Sequence, residues 1–213
     1  MNLTKRVKKL FFKQKEYYFS RYYYRQLIDK YTTNIATYVK LLNATSLAVY
    51  NQNTNKNILE DSTVTFKYTI SQTKKIYGEP IYIIENQVIN EMSILFYRLK
   101  FANERVKCEF HFYKNELFYI KYIFSYISDK QKKSIINVLE GKYLEGKKFN
   151  YKMNIISDNN NNKLLITEDS HFNIDYLSLN SDFFYSIEDL KKQNEEKQIE
   201  SQLKFINQMA KNL

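Results

Sequence analysis

One cysteine, one proline and three glycines occur among the 213 residues. A single thiol excludes an internal disulfide framework. Cys108 alternates with Val106, Phe110 and Phe112, the pattern of a small buried core residue rather than of a reactive thiol. Glycine and proline fall far below their usual shares of about 7% and 5%, which excludes long glycine-rich loops. No apolar run approaches the ~18 residues that cross a bilayer. The stretch Leu10-Phe11-Phe12 behind the basic N-terminus is too short for a secretory signal, and no small-residue cleavage site follows it. These absences lead us to expect a soluble, cytoplasmic protein, at most peripheral to a membrane.

Apolar residues make up 44% of the chain, enough at this length for one domain with a substantial core. The net charge is +10. Residues 1–40 hold ten Lys and Arg against Glu16 and Asp29, so a surplus of +8 sits at this end. Residues 3–42 also carry a helical stripe of Leu3, Val7, Leu10, Tyr17, Tyr24, Ile28, Tyr31, Ile35, Tyr38 and Leu42. The spacing predicts one long amphipathic helix within a basic segment 1–50, weakened near Ser20 and Thr32-Thr33. The candidate contact surface is its polar side: Lys5, Arg6, Lys8, Lys9, Lys13, Lys15, Arg21 and Arg25. Asn51 to Asn57, rich in asparagine, reads as an exposed loop.

The most legible stretch runs from Thr69 to Tyr126. Thr69-Ile70-Ser71-Gln72 is a capping box, and the helix it opens should stop at Gly78, with Pro80 forbidding continuation. Ile81–Ile84 and Ile94–Lys100 read as strands. Val106–Tyr113 alternates, with Val106, Cys108, Phe110 and Phe112 on a core face and Lys107, Glu109 and His111 on a wet one. After a turn at Lys114-Asn115-Glu116, Leu117–Tyr126 returns with Phe118, Ile120, Tyr122 and Phe124 on one side. Such a meander has one face on the core and one in water.

Ser128 to Gln131 is a second capping box, whose helix should end at Gly141. Strands are expected at Phe149–Ile156, Lys163–Thr167 and His171–Leu177. Segments 69–126 and 128–180 thus read as two versions of one helix-plus-strands unit, within a domain spanning 60–180. A last helix, 186–213, should be capped at Ser186 and carry the stripe Ile199, Leu203, Ile206, Ala210 and Leu213. The order of helix, glycine-x-proline, strand, tyrosine, strand and Phe-x-x-x-x-Leu from Ile76 to Phe124 is similar to the small two-layer domains of some bacterial envelope lipoproteins. The lipid-attachment cysteine that such proteins carry near their start has no counterpart here.

Several chemistries fail on their residues. Gly141 to Lys147 has the phosphate-loop spacing G-x-x-x-x-G-K, but Lys148 replaces the Ser or Thr that would hold magnesium, and a helix precedes the motif where a strand should. Asp158 to Asn162 begins like a calcium loop, yet Lys163 occupies the position that needs glycine and Asp169 that of the terminal Glu. His111 and His171, the only histidines, are too few for a zinc site unless carboxylates complete it. No serine sits in a nucleophile elbow, and no acid pair stands out by spacing.

The expectation is an α+β fold: an antiparallel sheet from two helix-plus-meander units, with a long N-terminal and a C-terminal helix. We expect no cofactor and no metal. The function expected is non-catalytic, an adaptor or accessory protein whose terminal helices contact a protein partner or an anionic membrane surface. Nucleic-acid binding through the basic helix is the alternative, and an enzyme of unrecognised type the second alternative. Packing of the N-terminal stripe on the sheet, with its lysines merely solvated, would make that helix structural.

Overall fold

The computed structural model describes residues 24–28, 30–31, 35–46, 51–60, 62–85, 89–101, 104–149, 155–168, 170–187, 189 and 209. The chain forms helix α1 (Ala36–Ser46), strand β1 (Asn51–Asn53), helix α2 (Ile70–Tyr77) and strands β2 (Tyr82–Glu85), β3 (Met92–Phe101), β4 (Glu104–Tyr113) and β5 (Glu116–Phe124). Helix α3 (Asp129–Tyr143) follows, then β6 (Ile155–Ser157), β7 (Asn162–Glu168) and β8 (Phe172–Ser178). Residues 24–28, 30–31 and 182–187 are also helical.

The eight strands make one sheet in the order β1-β6-β7-β8-β5-β4-β3-β2. It is mixed, which corrects the antiparallel expectation. β1 lies parallel to β6, with Asn51 opposite Ile155, while the other neighbours run antiparallel. The asparagines read as a loop are therefore partly an edge strand, prolonged by Thr54 N donating to Ser157 O at 2.8 Å. Backbone pairing with a strand a hundred residues away outweighs the poor β-propensity of Asn-Gln-Asn.

The long N-terminal helix falls largely outside the described residues, and the turn seen at Ile35 lies next to the weakness expected at Thr32-Thr33. Within the described residues the helical chain passes through a turn at Ile35 before α1 begins, and everything before Tyr24 lies outside them. The C-terminal helix begins at residue 182, ahead of the expected cap at Ser186. Most of 186–213 lies outside the described residues.

Both capping boxes form: Thr69 with Gln72, and Ser128 with Gln131. Gly78 ends α2 at φ 77°, its N–H reaching Lys74 O. Gly141 does not end α3. The helix runs on to Tyr143, and Glu145 and Gly146, both at positive φ, make the turn. Tyr143 and Leu144 are buried by that extra half-turn, which exceeds the ~1 kcal/mol cost of a helical glycine.

Neither face of the sheet is wet. On one, α2 and α3 cover a core containing Leu95, Cys108, Phe110, Ile120, Ile156 and Leu164. On the other, Tyr24, Leu27, Tyr31 and Tyr38 from the N-terminal helical chain pack with Ile94, Phe96, Tyr119 and Leu177, beside Phe183, Phe184 and Ile187. The three buried tyrosines are seven residues apart, and all three belong to this core. A bulge where β4 meets β5 pairs Phe112 with Leu117 and His111 with Tyr119, leaving Phe118 as the extra residue. Phe118 consequently joins the second face, stacked on Phe183 at 4.0 Å, rather than lining up with Ile120, Tyr122 and Phe124.

Candidate functional site

The side chains expected in water on β4 form a sealed polar network. His111 is 0% exposed, and Glu109 1%. Tyr31 donates its hydroxyl to Glu109 Oε2 in a short bond, and Lys30 Nζ donates to the Tyr31 oxygen at 2.9 Å. Tyr38 Oη lies 2.9 Å from His111 Nδ1, and His111 Nε2 stands 3.5 Å from Glu109 Oε2. The tautomer that suits both neighbours carries its proton on Nε2, facing the carboxylate, and accepts from Tyr38 at Nδ1.

The register continues the network sideways. Glu109 is paired with Lys121 on β5, and Lys121 with Asp175 on β8, so three charges of alternating sign cross three strands in one row. Lys121 Nζ lies 3.3 Å from Asp175 Oδ1, which also accepts from Tyr119 Oη at 2.7 Å.

Burial governs the protonation states. It lowers the His111 pKa to about 4, keeping the ring neutral at pH 7. Burial would raise that of Glu109, but the His111 contact, the Lys30 charge and the Tyr31 hydrogen bond prevail and hold it low, as a carboxylate. Burial raises Asp175, opposed by Lys121 and Tyr119. Acid, base and phenol groups are therefore gathered in one place, with His111 and Glu109 closed to solvent. The network ties the helical cover to the sheet.

Other sequence candidates resolve simply. Burial raises the Cys108 thiol pKa, which keeps the group protonated and inert. Lys148 pairs with Glu140 at 3.1 Å, and Glu140 also accepts from Phe149 N, so the glycine-lysine motif serves to close the end of α3. Asp158 is buried. Its carboxylate accepts from the backbone N–H of Ile58, Asn160 and Asn162 and from Asn162 Nδ2, and this uses the oxygens a calcium ion would need. Among the described residues no cluster of three or more His, Cys, Asp or Glu could hold a metal ion. His171 precedes β8 and is half-buried. Arg25 is exposed, while Lys5, Arg6, Lys8, Lys9, Lys13, Lys15 and Arg21 lie outside the described residues. Among the described residues no helix is long and apolar enough to cross a membrane.

The open feature is on the opposite face. A groove of about 650 Å³ runs along α3, within the ~300–1,000 Å³ typical of ligand sites. Ile135, Val138 and Leu139 form its wall, at helical spacing, and Phe101, Tyr122, Phe124, Ile174 and Tyr176 its floor. Val138 is 67% and Phe101 40% exposed, though both are large and apolar. The floor is dry in character. The rings of Tyr122 and Tyr176 meet edge to face at 5.9 Å within it. At one end Gln131 Nε2 donates to Glu104 Oε1 at 2.6 Å. At the other stands Lys142, whose amine donates to Ser62 Oγ at 2.9 Å. The groove has little sequence signal, because Val138 belongs to the same apolar pattern as its buried neighbours Ile136 and Leu139.

A second cleft, of about 550 Å³, opens at the loop end of the sheet around Leu117, Phe118 and Phe183. Its rim is occupied by mutual bonds, with Lys114 3.4 Å from Asp182 and Asn160 Nδ2 donating to Asn57 Oδ1.

No family model matches the chain, and no curated protein or solved structure is significantly similar to it.

Proposed function

We propose that this chain is a non-catalytic interaction protein, an adaptor or accessory factor that receives an apolar group of its partner in the groove along α3. The observation that carries the reading is the exposure of Val138 and Phe101 over a recessed apolar floor. Apolar surface left open in this way, contiguous with a recessed apolar floor, marks a contact site. The closed state of the His111 network supports the non-catalytic part, since its acid and base groups face protein on every side described. The charge surplus at the N-terminus supports an anionic partner, such as an acidic protein surface or an anionic membrane, attracted over a range set by ionic strength.

The test is titration with N-phenyl-1-naphthylamine, a neutral dye whose fluorescence rises in apolar sites. One saturable site per chain is expected, weakened at least about fivefold by Val138→Gln, because an amide brought into the groove loses water without gaining a partner. Absence of saturation, or indifference to Val138→Gln, would refute the groove. Duplex DNA binding that collapses with salt while the dye fails to bind would instead move the assignment to nucleic acid.

A further inference from the structure

We infer that the groove along α3 is a site for a single-chain amphiphile with an anionic head, of the fatty-carboxylate class, lying with its head at Lys142 and its chain running toward Gln131. The inference rests on the groove reading above and adds to it the chemistry and the direction of the occupant.

Shape comes first. Gln131, Ile135 and Leu139, and beside them Ser134, Val138 and Lys142, are each spaced four residues apart, so they form a line along one flank of α3. Eleven residues at 1.5 Å each make that line about 16 Å long, which suits an extended acyl chain of medium length and exceeds a single amino-acid side chain. The middle of the line is apolar, and its polar members stand at the two ends and at Ser134.

The two ends differ. Glu104 and Gln131 satisfy one another at 2.6 Å, closing their end to a charged group and repelling a second carboxylate. Lys142 is the only cation in the groove lining. Among the described residues its amine meets a neutral serine hydroxyl and the Tyr143 ring, 5.4 Å from the ring centroid, with no carboxylate within ion-pair distance. Two neighbouring lysines do have acids: Lys132 has Asp129 and Glu168, and Lys148 has Glu140. A full positive charge at the mouth of a dry trough exceeds the roughly half-charge of opposite sign at the helix C-terminus. An arriving carboxylate would take the place of the Ser62 hydroxyl, and its methylenes would cover Val138 and Phe101.

The floor chemistry agrees. The rings of Phe101, Tyr122, Phe124 and Tyr176, with Ile174, offer a broad apolar contact area to a methylene chain.

The experiment compares dodecanoate with dodecanol, both kept below aggregation, against the full chain at pH 7.5. Isothermal titration calorimetry gives the affinities, and methyl NMR of Ile135, Val138 and Ile174 reports the place. The expected result is saturable binding of both, with dodecanoate roughly fivefold tighter. Lys142→Gln should erase that preference while leaving dodecanol unchanged, and Val138→Gln should weaken both. Lys142 is half-buried at a helix end and Val138 is exposed, so both variants should fold, which near-UV circular dichroism checks. If the two ligands bind equally and Lys142→Gln changes neither, the anionic head is wrong and the groove reading stands. If neither ligand shifts the groove methyls, both are wrong.

Discussion

Acid should loosen this protein well above the pH at which carboxylates protonate, and His111 should be the reason. The folded ring titrates at about 4 against an ordinary 6.5, because its charged form would sit in a fully buried site. Between those values the unfolded chain binds a proton that the folded chain refuses. His111 therefore contributes stability that is complete above pH 6.5 and is lost as pH falls toward 4. Between pH 7.5 and 4.5 the loss integrates to about 2–3 kcal/mol, a large part of the ~5–15 kcal/mol of a typical domain. Glu109 acts lower: its carboxylate, held to about 2, begins to cost stability only below about 4.5. Asp175 works in the opposite sense, since its raised pKa lets the folded state take up its proton first and softens the decline. The groups facing the ring are Tyr31, Tyr38, Tyr119, Glu109, Lys30 and Lys121. Urea unfolding at pH 7.5 and 4.5, on the native chain and on His111→Gln, measures the effect. Glutamine keeps an acceptor for Tyr38 but cannot be protonated, so the variant should start less stable and lose about 2–3 kcal/mol less across the window. Equal losses in the two proteins would show that His111 is not held neutral by burial.

Phe110 is fully buried, with Tyr77, Tyr97 and Tyr122 around it at 5.4 to 6.4 Å, so Phe110→Ala should cost about 3–5 kcal/mol in the same unfolding assay. Asp158→Ala removes an acceptor from four N–H groups and should cost about 2–4 kcal/mol, while calcium or a chelator should leave the melting temperature of the native chain unchanged. Ser128→Ala breaks the capping box of α3 and should cost about 1 kcal/mol, visible as a small fall in the urea midpoint without a change in slope.

Local chemistry was readable in the residues, and long-range pairing was not. Thr69 with Gln72 and Ser128 with Gln131 are contacts over three residues, and both occur as the spacing predicts. The alternation of β4 placed Val106, Cys108, Phe110 and Phe112 correctly on a core. Its other face was misjudged because Glu109 and His111 are polar, and polarity alone does not distinguish water from a buried network. The signal that could have exposed this is Tyr24, Tyr31 and Tyr38: a tyrosine line of that length needs a surface to bury against, and phenols need acceptors. The strand Asn51–Asn53 carries no such signal, since its pairing with β6 depends on residues a hundred positions later. The bulge at Phe118 is equally silent, for it arises from the turn between β4 and β5.

The placement of Tyr31 and Tyr38 has a consequence for the order of events during synthesis. These side chains leave the ribosome some eighty residues before Glu109 and His111, the groups that receive their hydroxyls. Until β4 and β5 emerge, the helical cover has no platform, and its greasy line faces solvent or a chaperone. The outermost parallel strand waits longer still, for residue 155. Nascent chains stalled between these points should be the ones most prone to aggregate, and release past the end of β8 should relieve it.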